Sequence, residues 1–199
     1  MSHFSVAVFL PDDKHCVHDL LAPYSDDLEV APYHNGDELT SYNPDSKWGG
    51  YQIGGQWQGE LILKPKKNGI RTDTPSFKKK SKGYDGAFVR DIDFEAMRKR
   101  KIDKLEPYEK AMKNSFMKEE YMRERFPTEK EYIERKTLFS TYAVITPDGK
   151  WHAPGYMGWW GISSETPEEE RIWELNYHDR FIKPAIENNW YMVIVDCHI

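Results

Sequence analysis

The stretch "YMVIVDCHI", Tyr191 to Ile199, decides how this 199-residue chain is read. Side chains alternate across a strand, so Met192, Ile194, Asp196 and His198 share one face while Val193, Val195, Cys197 and Ile199 share the other. A second such run stands at the opposite end of the chain. In "HFSVAVFL", residues 3–10, Phe4, Val6, Val8 and Leu10 alternate with His3, Ser5, Ala7 and Phe9. In a ferredoxin-like βαββαβ order the first and last strands are antiparallel neighbours, which brings His3 to His198. With Phe4, Val6, Val8, Val193 and Val195 on the core face, His3, Ser5, Asp196 and His198 meet on the other. Cys197 then points into the core, which argues against a nucleophilic thiol.

Working inward, "LEVAPYH" is a weak extended piece interrupted by Pro32, residues 35–50 read as loop, and Trp57 to Leu63 allows another strand. Asp93 is placed to cap a helix ending before Pro107, and Tyr108, Met112 and Phe116 form the core stripe of the next. Thr128 with Glu131 suggests a capping box for a third. After this segment, Thr146-Pro147-Asp148-Gly149 predicts a hairpin. Thr166-Pro167-Glu168-Glu169 is the best helix start in the chain, and that helix should stop before Pro184 with Trp173, Tyr177 and Phe181 on its buried stripe.

The formal net charge of -5 conceals a split, because most of the 28 Lys and Arg lie between residues 64 and 136 while most of the 33 Asp and Glu lie outside. The basic segment is read as covering the acidic flanks in preference to binding nucleic acid. Within it "TDTPSFKKKSKGYDG" reads as a mobile loop. Two cysteines, Cys16 and Cys197, without CxxC spacing argue against a disulfide framework or a structural zinc site. The short N-terminal apolar run has no basic flank, so a soluble cytoplasmic protein with no membrane association is expected. One domain is expected over 1–199, its sheet drawn from 1–63 and 138–199 and a charged helical insertion filling 64–137. The fold class is α+β, with an antiparallel sheet for which a ferredoxin-like order is the candidate.

Two further motifs concentrate glycine and aromatic residues: "WGGYQIGGQW", residues 48–57, and "MGWWG", residues 157–161. Neither is a Walker loop or a GxGxxG fingerprint, so no cofactor is implied. Glycine pairs around Ile53 suit a kinked strand where backbone passes close to another group. One reading joins the two motifs as a ligand pocket of Trp48, Tyr51, Gly54, Gly55, Gln56, Trp57, Trp159 and Trp160, stacking on a planar or nucleotide-like molecule. The other reading is a Trp-rich core in which glycine makes room.

Together with "MSHF" at 1–4, "APY" at 22–24, "PDGKW" at 147–151 and "DCHI" at 196–199, these motifs resemble a family of bacteriophage and prophage proteins. The resemblance covers both flanks and skips most of the basic middle. It implies a phage accessory protein directed at host enzymes or host defence, and it implies no particular reaction. The family pattern often has Arg where this chain has Gln56, so no anion-binding role carries over to that position.

Three function classes follow. The first is binding of a nucleotide-like host signal, without turnover, in the aromatic and glycine pocket. The second is hydrolysis of a phosphoester or acyl bond by His3, Asp196 and His198, with a metal left open. The third is inhibition of a host defence protein through the basic helical insertion.

Overall fold

The computed structural model describes residues 2–72, 83–115, 117–158 and 162–199. Strand β1 (His3–Leu10) and strand β8 (Tyr191–His198) pair antiparallel along their whole length, from His3 opposite His198 to Leu10 opposite Tyr191. Strand β8 is paired on its far side too. Strand β4 (Gly50–Ile53) runs antiparallel beside its C-terminal half, and β5 (Gly86–Phe88) beside its N-terminal half. On the far side of β1 lies β6 (Ala143–Ile145), followed in a hairpin by β7 (Trp151–His152).

The α+β class holds, but the sheet is mixed, because β1 and β6 are parallel. A ferredoxin-like sheet would set the hairpin's second strand against β1, antiparallel; here its first strand takes that place and the order is β4-β8-β1-β6-β7. A parallel pair requires a crossover, and the long chain between β1 and β6, including the insertion, provides it. Two short strands form a separate hairpin: β2 (Tyr33–Asn35), at the end of the expected extended piece, and β3 (Glu38–Thr40), inside the segment expected to be loop. The expected strand at 57–63 is instead a single 3-10 turn (Gly55–Trp57) followed by isolated bridges at Leu61 and Leu63.

Both faces of the sheet are covered, which corrects the expectation of a single core face. Phe4, Val6, Val8, Val193, Val195 and Cys197 pack with Trp48 and helix α1 (Val17–Leu21). On the opposite face Ala7, Phe9, Met192 and Ile194 pack beneath Trp173, Tyr177 and Phe181 and against Met97. Each large apolar side chain withdrawn this way stabilises the fold by about 1.5–3 kcal/mol. The polar end of the strands, His3 and His198, lies where this second cover stops.

Helix α2 (Phe94–Ile102) starts at Asp93, whose side chain accepts from the Ala96 N–H. Helices α3 (Tyr108–Asn114), α4 (Glu119–Arg125) and α5 (Glu129–Thr137) share a small core of Ala111, Met112, Met122, Phe126 and Tyr132; Phe116 lies outside the described residues. Thr128 caps α5 as expected, but Glu131 turns away from the cap to meet Arg171 at 2.8 Å. Helix α6 (Pro167–Tyr177) begins with the full reciprocal capping box of Thr166 and Glu169. It does not end at Pro184. A π turn over His178–Ile182 leads directly into α7 (Lys183–Glu187). That turn shifts the hydrogen-bond register at the place where proline can offer no N–H.

The basic insertion is fastened to the acidic α6. Arg135, whose side chain is fully buried, donates from Nε to Glu174 at 2.6 Å, from Nη2 to Glu170 at 3.1 Å and from Nη1 to the Arg125 carbonyl. Arg125 and Arg135 thus satisfy part of the charge split within the chain. No helix among the described residues is long and apolar enough to cross a membrane.

Candidate functional site

The antiparallel register sets His3 against His198 and Ser5 against Asp196 on one face of the sheet. His3 Nδ1 lies 2.9 Å from Asp196 Oδ1, and the other carboxylate oxygen accepts the Gln56 backbone N–H, also at 2.9 Å. Asp196 is almost fully buried, whereas about a third of the His3 side chain reaches solvent. A buried carboxylate held on both oxygens is a fixed anchor, and it orients the imidazole attached to it. The His198 ring stands beside that of His3, with centroids 5.5 Å apart and planes tilted by 46°. Ser5 is spent elsewhere, accepting the Tyr142 N–H at 3.2 Å. The expected meeting of His3, Asp196 and His198 is therefore what the strands produce.

The glycine stretch answers to the same site. After β4 the chain turns through Gly54 and Gly55, with φ of +73° and +49°, a region in which a side chain is strained. A Cβ on Gly55 would run into the Asp196 side chain, and one on Gly54 would lie 2.7 Å from Asp85 Oδ1. The His198 ring likewise rests against the backbone of Gly50. These glycines let the main chain pass over carboxylates and imidazole, so the close approach expected for the motif is to the protein's own side chains.

Asp85, also buried, is the second carboxylate under this loop. It accepts from Gly59 N–H at 2.6 Å and from Thr72 N–H and Oγ1, both at 2.7 Å. Sequence reasoning placed Asp85 in a mobile loop and missed it. The signal was its position between Gly83 and Gly86, which marks backbone crowding in the same way as Gly54 and Gly55. Residues 73–82 of that expected loop lie outside the described residues.

The aromatic members of the expected pocket are dispersed. Trp48 is buried, with its indole N–H donated to the Leu21 carbonyl at 3.2 Å. Tyr51 stands edge-on to Trp48 and its hydroxyl lies 3.3 Å from His18 Nδ1. Trp57 is half-buried against the cluster on the helix-covered face. Gln56 contributes its backbone N–H while its side chain is exposed. Trp159 and Trp160 lie outside the described residues. Within the motif at 48–57, glycine and tryptophan thus take part in packing and in the anchoring of Asp196.

Cys197 lies on the opposite face from Asp196, where burial, with Asp196 adding, pushes its thiol well above the ordinary range. Burial, with Arg180 adding, holds His152 below the usual imidazole value, and its Nε2 meets Thr146 Oγ1 at 3.2 Å. Among the described residues, no group of three His, Cys, Asp or Glu is arranged to hold a metal ion. What the polar end of the sheet does offer is two adjacent imidazoles, one of them anchored, able to take and give protons at a single centre.

The chain is thus an α+β protein with a histidine–aspartate cluster at one end of a mixed sheet. No family model matches it, and no curated protein or solved structure is similar to it.

Proposed function

We propose that the protein hydrolyses a phosphoester at the His3–His198 end of its sheet. His3, anchored by Asp196, takes a proton from the attacking water as the new P–O bond forms. His198 gives a proton to the leaving oxygen as the old P–O bond breaks, so the products are a phosphate and an alcohol. The rings then exchange their protons with solvent. The observation that carries this reading is the buried carboxylate bonded to His3 Nδ1 with a second imidazole 5.5 Å away. Such a pair suits displacement at phosphorus, which uses a base and an acid at one centre and no enzyme nucleophile. The resemblance to phage proteins supports a substrate drawn from the host cell or its defences. A role for the insertion in covering a host enzyme has less behind it, since Arg125 and Arg135 are engaged with the glutamates of α6.

The test is release of p-nitrophenol from p-nitrophenyl phosphate and bis(p-nitrophenyl) phosphate, with p-nitrophenyl acetate as the acyl contrast. Turnover of a phosphate ester should fall by about 10²–10⁴ in His3→Ala and in His198→Ala. Turnover unchanged in both folded variants would sink the assignment, and hydrolysis of the acetate alone would move it to acyl chemistry.

A further inference from the structure

A cavity of about 380 Å³ opens where the C-terminal end of α2 and the link to α3 meet α5 and the chain after Trp57. Four cationic side chains line it: Arg100 and Lys101 from α2, Lys104 just beyond that helix, and Lys136 from α5. Glu60 and Glu106 stand in the same wall, with Leu105 as its apolar member. Both carboxylates have partners already. Glu60 meets Arg100 at 3.2 Å, and Glu106 meets Lys110 of α3 at 3.1 Å.

Lys101, Lys104 and Lys136 are left without a carboxylate in ion-pair contact among the described residues. Lys101 Nζ donates to the Leu138 carbonyl at 2.7 Å, and Lys136 Nζ lies 4.9 Å from the centre of the Phe126 ring. An ammonium carries three N–H donors, so both keep capacity for a further acceptor. Burial pushes both amines below their usual range, and neighbouring guanidiniums push the same way, Arg100 at Lys101 and Arg125 and Arg135 at Lys136. Glu174 works against that push from a distance, but its carboxylate is bonded to Arg135. Cations gathered around a partly dry opening focus their field on it and draw a counter-ion.

We propose that this cavity binds a diphosphate group, either the free ion or the end of a nucleoside diphosphate, through Lys101, Lys104 and Lys136. Lysine serves phosphate as a point charge, and a diphosphate presents several charged oxygens on a compact body to ammonium groups spread around one opening. A monophosphate, at about −1.5 to −2, leaves part of the three positive charges uncompensated. The volume lies within the roughly 300–1,000 Å³ of small-ligand sites. Leu105 alone offers apolar contact, so the part of the ligand held inside is polar and a nucleoside would extend outward. The site shares no residue with His3, Asp196 and His198, and it stands or falls without them.

The experiment is calorimetric titration of the native protein with inorganic pyrophosphate, ADP and inorganic phosphate, in magnesium-free buffer at matched ionic strength. Pyrophosphate should bind with unit stoichiometry and more tightly than phosphate. ADP binding as well as pyrophosphate identifies a nucleoside diphosphate as the source, and ADP excluded identifies the free ion. Lys101→Met and Lys136→Met should each weaken pyrophosphate by about tenfold, the loss of one charge-assisted hydrogen bond. Lys104→Ala, at an exposed position that the fold does not depend on, should weaken it by about threefold. Lys130→Ala, on α5 but outside the cavity, should leave it unchanged. Thermal melting serves as the fold control. Absence of binding by pyrophosphate and ADP at millimolar concentration would overturn the proposal, as would phosphate binding equally well or an affinity indifferent to both Lys104→Ala and Lys136→Met. Pyrophosphate affinity lost in His3→Ala and His198→Ala would place the ion at the other end of the molecule and overturn it too.

Discussion

Asp85 and Asp196 are both buried under the same glycine loop, yet they are satisfied in different ways. Asp85 receives its hydrogen bonds from Gly59 and Thr72, all inside the fold. Asp196 gives one oxygen to the Gln56 N–H and the other to His3, a side chain that reaches solvent. A carboxylate surrounded by fixed donors is a structural pin. One that spends half its capacity on an exposed imidazole passes its charge outward to where chemistry can occur.

The largest effect that would test this contrast is Asp85→Ala. It removes the acceptor of the Gly59 and Thr72 N–H groups, at on the order of 1–3 kcal/mol each, while the Thr72 hydroxyl keeps the Ile53 carbonyl, so denaturant unfolding should show a loss of about 2–6 kcal/mol or no folded protein. A loss below about 1 kcal/mol would mean that Asp85 is no pin. Asp196→Asn should do the reverse, lowering phosphoester turnover by about 10²–10⁴ through the misplaced His3 tautomer while costing no more than about 1.5 kcal/mol of stability. If the rate holds and the fold fails, the two aspartates are alike and the comparison collapses.

Glycine substitution sharpens the same contrast at smaller scale. Gly36 also has positive φ, +64°, but nothing stands within 4 Å of a Cβ placed there. Gly36→Ala should therefore cost only the backbone term, about 1–2 kcal/mol. Gly55→Ala should cost more and should also depress turnover, because the new methyl displaces Asp196; equal losses in the two variants would remove the carboxylate from the explanation.

The smallest effect concerns Cys197, whose raised thiol ionises in the unfolded chain from about pH 9 but not yet in the folded one. Its contribution is complete below that pH and fades as pH climbs toward the folded value, so stability should fall with alkalinity. The slope of unfolding free energy between pH 9 and 11 should be shallower in Cys197→Ala. With 5,5′-dithiobis(2-nitrobenzoate) at neutral pH the native protein should yield one thiol, exposed Cys16, and the denatured protein two.

The first and last strands were legible as apolar runs of eight residues, and their antiparallel pairing came from the ferredoxin-like order, a feature that this sheet keeps although its strand order differs. His3, Asp196 and His198 followed from that pairing alone. The parallel β1–β6 pair was not legible, since either strand of the 143–152 hairpin has the composition to sit beside β1. The glycine stretch was read as crowded backbone, correctly, but the crowding groups were Asp85 and Asp196, distant in sequence and silent in any local pattern. The helical path continues past Pro184 because a π turn over His178–Ile182 joins α6 to α7, and no residue type announces such a turn.

The sheet also fixes an order of events. Strand β8 is the shared neighbour of β1, β4 and β5, and it follows all three in the sequence. During synthesis those three strands wait with their edges open until residues 191–198 arrive. Closing loops of that length is slow, and the waiting edges are exposed meanwhile. The candidate catalytic end therefore cannot form before residues 191–198 have joined the strands that precede them.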